Sequence, residues 1–259
     1  MKKQWMLPGL AAAGGVAAFA LRLCQNATGF EDGTGLAVPG NVPGTILPVL
    51  LVLTACAAIV LARKLPKTAE SGSFPPAFSM KDAPELLLPV MGVFLMFLSG
   101  AADAATALSI LPGAVFAPGA HLLLGALSIV SAAGLLLAAS ACRHQKKDFH
   151  GALLLPVTVM LVVRLVLTYR VSSTSPTLAA YYVELLALVF LTLAFFHLSG
   201  FAFDDAKPRR FAVSAVLAAV LSMASMADRT GVPLSSLALC AGGALVLLGF
   251  LVVYAGKDE

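Results

Sequence analysis

Charge is scarce in this chain. Asp, Glu, Lys and Arg together make up 12% of its 259 residues, about half the share of an ordinary soluble domain. That excludes a water-soluble fold with a single core. It also excludes intrinsic disorder, which needs low hydrophobicity with high charge. Tryptophan occurs once, and the four cysteines, Cys24, Cys56, Cys142 and Cys240, form no Cys-x-x-Cys pair. Neither a disulfide framework nor a paired-thiol redox or zinc motif is therefore expected. No lysine falls inside a long apolar run, which removes the anchor of a retinal Schiff base. His-Glu-x-x-His, Gly-x-Ser-x-Gly and glycine-rich phosphate-loop patterns are all missing, and with them the chemistries those spacings support. Gly100-Ala101-Ala102-Asp103 departs from the Gly-x-Gly-Asp pattern of intramembrane aspartyl proteases, and no Tyr-Asp dipeptide accompanies it. No cofactor is expected. The net charge of +4 follows membrane topology before it reports a partner, and nucleic acid is not expected to be one.

What the chain has in abundance is hydrophobicity: 59% of its residues are apolar, with a mean hydropathy of +0.94. A membrane span needs roughly 20 such residues. Eight runs qualify: 5–22, 45–62, 84–106, 119–142, 151–170, 177–201, 211–227 and 234–254. The segments between them carry Gly, Pro, Ser and charge, as loops do. The expected fold is all-α, a polytopic membrane bundle of about eight helices arranged as four hairpins, in one domain spanning 1–259. Placing the N-terminus in the cytoplasm puts thirteen of the seventeen Lys and Arg on the cytoplasmic side, leaving Arg22, Arg164, Arg170 and Arg229 toward the other. Cytoplasmic loops are enriched in basic residues, so both termini are expected inside the cell membrane. The alternative is a cleaved signal peptide: Lys2-Lys3, an apolar stretch and Ala18-Phe19-Ala20 imitate one, and cleavage would leave seven spans.

Three runs share a spacing. Pro8 precedes Arg22, Pro89 precedes Asp103 and Pro156 precedes Arg170, each by 14 residues and each after a leucine. The interval is ~21 Å of helix, which places each proline near one end of its span and each charge near the other. Duplicated hairpins, common in transporters, or chance both account for it.

The outer segment 23–44 is expected to be an extracytoplasmic loop with little regular structure, folded over the outer ends of the third to sixth spans. Seven of its residues are Gly or Pro, which disfavours helix. Glu31 and Asp32 are too few carboxylates for a cation site. Asn26-Ala27-Thr28 matches a glycosylation sequon. On the other side Cys142, His144, Asp148 and His150 cluster without a zinc spacing, and no metal site is expected.

The informative residues are the charges inside spans, each costing at least ~2.5–3.5 kcal/mol near a helix centre. They are Asp103, Arg164 and Glu184. Arg164 and Glu184 lie at similar depths, ~9–10 Å in, on consecutive helices, so a direct desolvated pair is expected between them. Tyr181 and Tyr182, about one turn from Glu184, line a vestibule or form part of an aromatic belt. Asp103 sits in the small-residue run Ser99–Ala105, which favours close helix approach. Asp228 and Arg229 read as the start of a solvated loop, and His197 as an interfacial histidine.

Two functional readings follow. In the first, Arg164, Glu184, Asp103, Tyr181 and Tyr182 form a binding site for a small solute or ion. Arg164 holds an anionic group, and Glu184 or Asp103 exchanges a proton or cation. In the second, the buried charges are structural. The chain is then a non-transporting sensor or assembly subunit that meets lipid, a protein partner or a second copy of itself. A lipid-modifying enzyme is the third, weakened by the lack of paired His and Asp motifs.

Overall fold

The computed structural model describes residues 5–31, 36–67, 74–80, 83–145, 149–174, 178–228 and 233–256. Lys2, Lys3, Asp32, Gly33, Gly35, Lys81, Lys146, Lys147, Asp148, Thr177, Arg229 and Lys257 lie outside the described residues. The described chain folds as α1 (Met6–Thr28), α2 (Val42–Ala62), α3 (Phe74–Ala77), α4 (Ala83–Ala107), α5 (Pro118–His144), α6 (Leu155–Ser172, after a 3-10 turn at Gly151–Leu154), α7 (Leu178–Gly200), α8 (Pro208–Ser225) and α9 (Leu234–Gly256). Among the described residues there is no strand, only an isolated bridge between Phe30 and Ala37. The all-α bundle expected from the apolar runs is what forms.

Among the described residues seven helices are long and apolar enough to cross a membrane: α1, α2, α4, α5, α6 with its preceding turn, α7 and α9. A helix also stands at the eighth expected place. Arg209 and Arg210 in its first turn shorten the apolar part of α8. Its surroundings explain why it tolerates this. Fourteen of its eighteen residues are buried, because it packs against α1, α2, α7 and α9 rather than against lipid.

The helices close a ring. α4 packs on α5, α5 on α6, α6 on α7, α7 on α8, α8 on α9, and α9 returns to α4, with α1 and α2 added outside α8. Small residues set the tightest seam. A Cβ on Gly92 would stand 2.5 Å from the Gly242 carbonyl oxygen, and one on Gly242 would stand 2.6 Å from that of Gly92. One turn and more along the same seam, a Cβ on Gly249 would meet the ring of Pro89 at 2.5 Å. Only backbone fits there, so α4 and α9 lie against each other as small residues allow in lipid.

Two details differ from the expected loop 23–44. α1 continues six residues past Arg22 to Thr28, and α2 begins at Val42, so the connection shortens to 29–41. Its described hydrogen bonds stay close to home: Glu31 N–H to Leu36, Val38 N–H to Gly29, and Asn41 Nδ2 to Thr28. They tie the ends of α1 and α2 together. Asn41 then caps α2 by accepting from the Gly44 N–H at 2.9 Å, a typical N-cap role.

Candidate functional site

The three charges expected within spans all lie at one end of the ring. Asp103 is in the last turns of α4, Arg164 is eight residues from the end of α6, and Glu184 is six residues into α7. Arg164 and Asp103 are fully buried. Their pairing is direct: Arg164 Nη1 donates to Asp103 Oδ2 at 2.7 Å. The expected direct contact between Arg164 and Glu184 is not what forms. Arg164 Nη2 donates to Ser235 Oγ at 2.9 Å and to Ser236 Oγ at 3.1 Å. Ser236 Oγ in turn donates to Glu184 Oε1 at 3.0 Å. One hydroxyl, both donor and acceptor, therefore stands between guanidinium and carboxylate. The physical reason is reach across the ring. Asp103 on α4 presents its carboxylate to the same interior, and a charge-assisted contact leaves Arg164 no free charge for an anionic ligand.

Asp103 has a second partner that the sequence reading missed. His121, in the first turn of α5, places Nδ1 3.1 Å from Asp103 Oδ1, while its Nε2 accepts from the Phe116 backbone N–H at 3.2 Å. With Nε2 turned to that N–H, Nδ1 is the ring nitrogen that faces the Asp103 carboxylate. Ser99 Oγ closes the set by donating to the Ser235 carbonyl at 2.6 Å. Five of the six ring helices, α4, α5, α6, α7 and α9, thus contribute to one network. Glu184 is half-buried at its edge. Inside it, Arg164 Nε and Thr168 Oγ1, one helical turn apart, are buried without a hydrogen-bond partner.

A second charged cluster lies at the same end. Arg22 of α1, buried, donates from Nε to Asp228 Oδ1 at 2.7 Å and from Nη1 to Gln25 Oε1 at 2.9 Å. Asn26 Nδ2 also donates to Asp228 Oδ1, at 2.8 Å, so the sequon asparagine is engaged within the helix bundle. Asp228 is therefore not the start of a solvated loop; it is buried and paired. The Arg22 guanidinium lies 5.7 Å from the centre of the Tyr182 ring, within cation–π range. Tyr182 Oη and Asp228 Oδ2 are buried without partners. Tyr182 thus belongs to this cluster, while Glu184, two residues along α7, belongs to the other and lies within electrostatic reach of both Arg164 and Asp228. Tyr181 is half-buried beside it.

The 14-residue spacing separates on folding. Arg22 and Asp103 both enter buried clusters, but Arg170 is exposed, and Arg164 occupies the interior in its place. On the opposite side of the molecule Cys142 is buried in α5, while His144 and His150 are exposed. Among the described residues no three His, Cys, Asp or Glu come close enough to hold a metal ion.

His121, Ser99, Ser235 and Ser236 carried little signal in the sequence. A serine pair at a helix start reads as a cap. A histidine in a first turn reads as interfacial. The one available cue was an imidazole inside an apolar run, at the same expected depth as Asp103. No protein-family model, no curated protein and no solved structure matches this chain.

Proposed function

We propose that this integral membrane protein binds and carries a small cation, or a solute coupled to a proton, through the charged end of its helix ring, with Glu184 as the exchanging group. One observation supports this above the others. In the chain Asp103–Arg164–Ser236–Glu184 one guanidinium faces two carboxylates. Asp103 takes the guanidinium directly. Among the described residues Glu184 receives only a hydroxyl hydrogen. A carboxylate withdrawn from water with no cation of its own takes up a proton or a cation. Tyr181, half-buried, lies about one helical turn before Glu184, and the orphaned Arg164 Nε and Thr168 Oγ1 are partners for a water or a ligand atom. In this reading α8 is the eighth crossing, both termini are cytoplasmic, and the charged end faces outward. A reporter fused after Glu259 then reads cytoplasmic.

The second reading, a non-transporting subunit held in register by structural charges, is favoured by the complete burial of Asp103, Arg164 and His121. Charge movement separates the two. Proteoliposomes adsorbed on a solid-supported membrane are stepped in pH, then in Na⁺ and K⁺. The transport reading expects a transient current that Glu184→Gln removes and Arg170→Gln leaves intact. Absence of any current in the unmodified protein overturns it in favour of the structural reading.

A further inference from the structure

The end of the molecule away from Glu184 holds a pocket of about 360 Å³. It lies where the last turns of α2 and α7 meet the first turns of α8. α2 and α7 both pack on α8, and Val213 and Ser214 of α8 line the pocket between them. Its rim is basic: Arg63, His197, Arg209 and Arg210 line it, and among the described residues no carboxylate does. The nearby acid Asp205 is already bonded to Lys207 at 2.6 Å. Arg209 is held in place by donating from Nε to the Leu65 carbonyl at 2.7 Å, a bond that does not use its two terminal nitrogens. Guanidinium forks match phosphate oxygens in geometry as well as charge. No side chain caps the start of α8, which begins with Pro208, so the unpaired N–H groups and the positive end of its dipole add to the same field.

Below the rim the pocket turns apolar. Ile59 lies one turn from Arg63, and Phe190 lies seven residues from His197, which is ~10 Å along the helix toward the middle of the span. A soluble phosphate ester would satisfy the rim and leave that apolar wall bare. A phospholipid fills both, its phosphate at the helix ends where headgroups reside and its first methylenes along the wall.

We propose that this pocket binds the headgroup phosphate and upper acyl chain of one anionic phospholipid. The test uses the purified, delipidated protein in detergent micelles doped with equal amounts of phosphatidylglycerol and phosphatidylcholine, with retained lipid counted by native mass spectrometry. Phosphatidylglycerol is expected to be retained as a single copy with a preference of roughly tenfold or more, given the contribution of each basic residue at a lipid surface. Arg63 and Arg210 are exposed, so the Arg63→Gln/Arg210→Gln variant folds and is expected to lose the preference. Arg143→Gln/Arg170→Gln, which changes two exposed basic residues outside the pocket, is expected to keep it. Val213→Trp fills the apolar wall without touching charge and is expected to lower retention of the lipid. Equal retention of the two lipids, or an unchanged preference in Arg63→Gln/Arg210→Gln, overturns the proposal. Displacement of the lipid by glycerol 3-phosphate at equal concentration also overturns it, by making the ligand a soluble phosphate.

Discussion

The two ends of the helix ring are closed by opposite chemistry. At one end, Asp103, His121, Arg164 and Glu184 meet through hydrogen bonds with two serines. At the other, α3 turns inward and buries Phe74 and Phe78. Phe78 there lies 4.9–5.9 Å from the rings of Phe201, Phe211, Phe250 and Tyr254, and Phe74 stacks on Phe149 at 4.9 Å. Gln145, in a left-handed turn at φ 48°, ends α5 and donates to the Pro75 carbonyl, tying α3 down. The difference is one of what lipid can replace. Acyl chains are as apolar as phenyl rings, so the aromatic cluster is held mainly by packing. Acyl chains cannot pair with a guanidinium or a carboxylate. The charged end therefore decides which helices are neighbours and in what register, while the aromatic end fills space among helices already chosen.

The sharpest way to break this contrast is to unpair the charged end. Arg164→Leu removes the guanidinium from the buried Asp103 and is expected to cost about 3–5 kcal/mol, most of it recovered in Arg164→Leu/Asp103→Leu because the lone buried charge is the costly species. Unfolding midpoints in detergent check this; losses that simply add would show that the two residues act independently. At the other end Phe78→Ala is expected to cost about 3 kcal/mol through the cavity it leaves. That loss has no partner mutation that restores it and does not change with salt, which a melt in low and high salt tests. Gly242→Ala, between the two ends, pushes a methyl into the α4 backbone and is expected to cost about 2 kcal/mol. Loss of cross-linking between cysteines placed on α4 and α9 follows the opening of that seam. Asp228→Asn keeps the shape beside Arg22 but removes the charge and is expected to cost about 1.5 kcal/mol, read as a shifted midpoint with an unchanged unfolding slope. Arg170→Gln, at an exposed site, is expected to leave the midpoint unchanged, and a shift there would mean that the exposed charge also helps to close the ring.

Helices were legible because a 20-residue apolar run has few other ways to exist. α8 was legible as an element, although its burial among four helices, and not its own length, accounts for its place. The partners of the charges were harder to read. Depth along consecutive helices pointed from Arg164 to Glu184, yet depth says nothing about which neighbour lies across the ring, and there Asp103, 61 residues upstream, is directly opposed. Asp228 looked solvated because it follows the end of a helix; its partner Arg22 is 206 residues away, beyond any local pattern. The aromatic end was hidden for a related reason. Phe74-Pro75-Pro76-Ala77-Phe78 has the composition of a turn, and nothing local announces that it folds back into the core.

The pairing of Arg22 with Asp228 sets a timetable for making the protein. At ~5–20 residues per second of synthesis, the 206 residues between them impose a wait of roughly 10–40 s. During that interval the first helix carries a guanidinium whose carboxylate partner Asp228 has not yet been made. Asp103 waits for Arg164, and Ser99 for Ser235, the last of these 136 positions later. The ring thus closes only when α9 arrives, and every shorter nascent chain exposes at least one uncompensated charge or donor to the insertion machinery. A truncated or stalled product carries its own mark of incompleteness, readable by any membrane protease that senses polar groups in lipid.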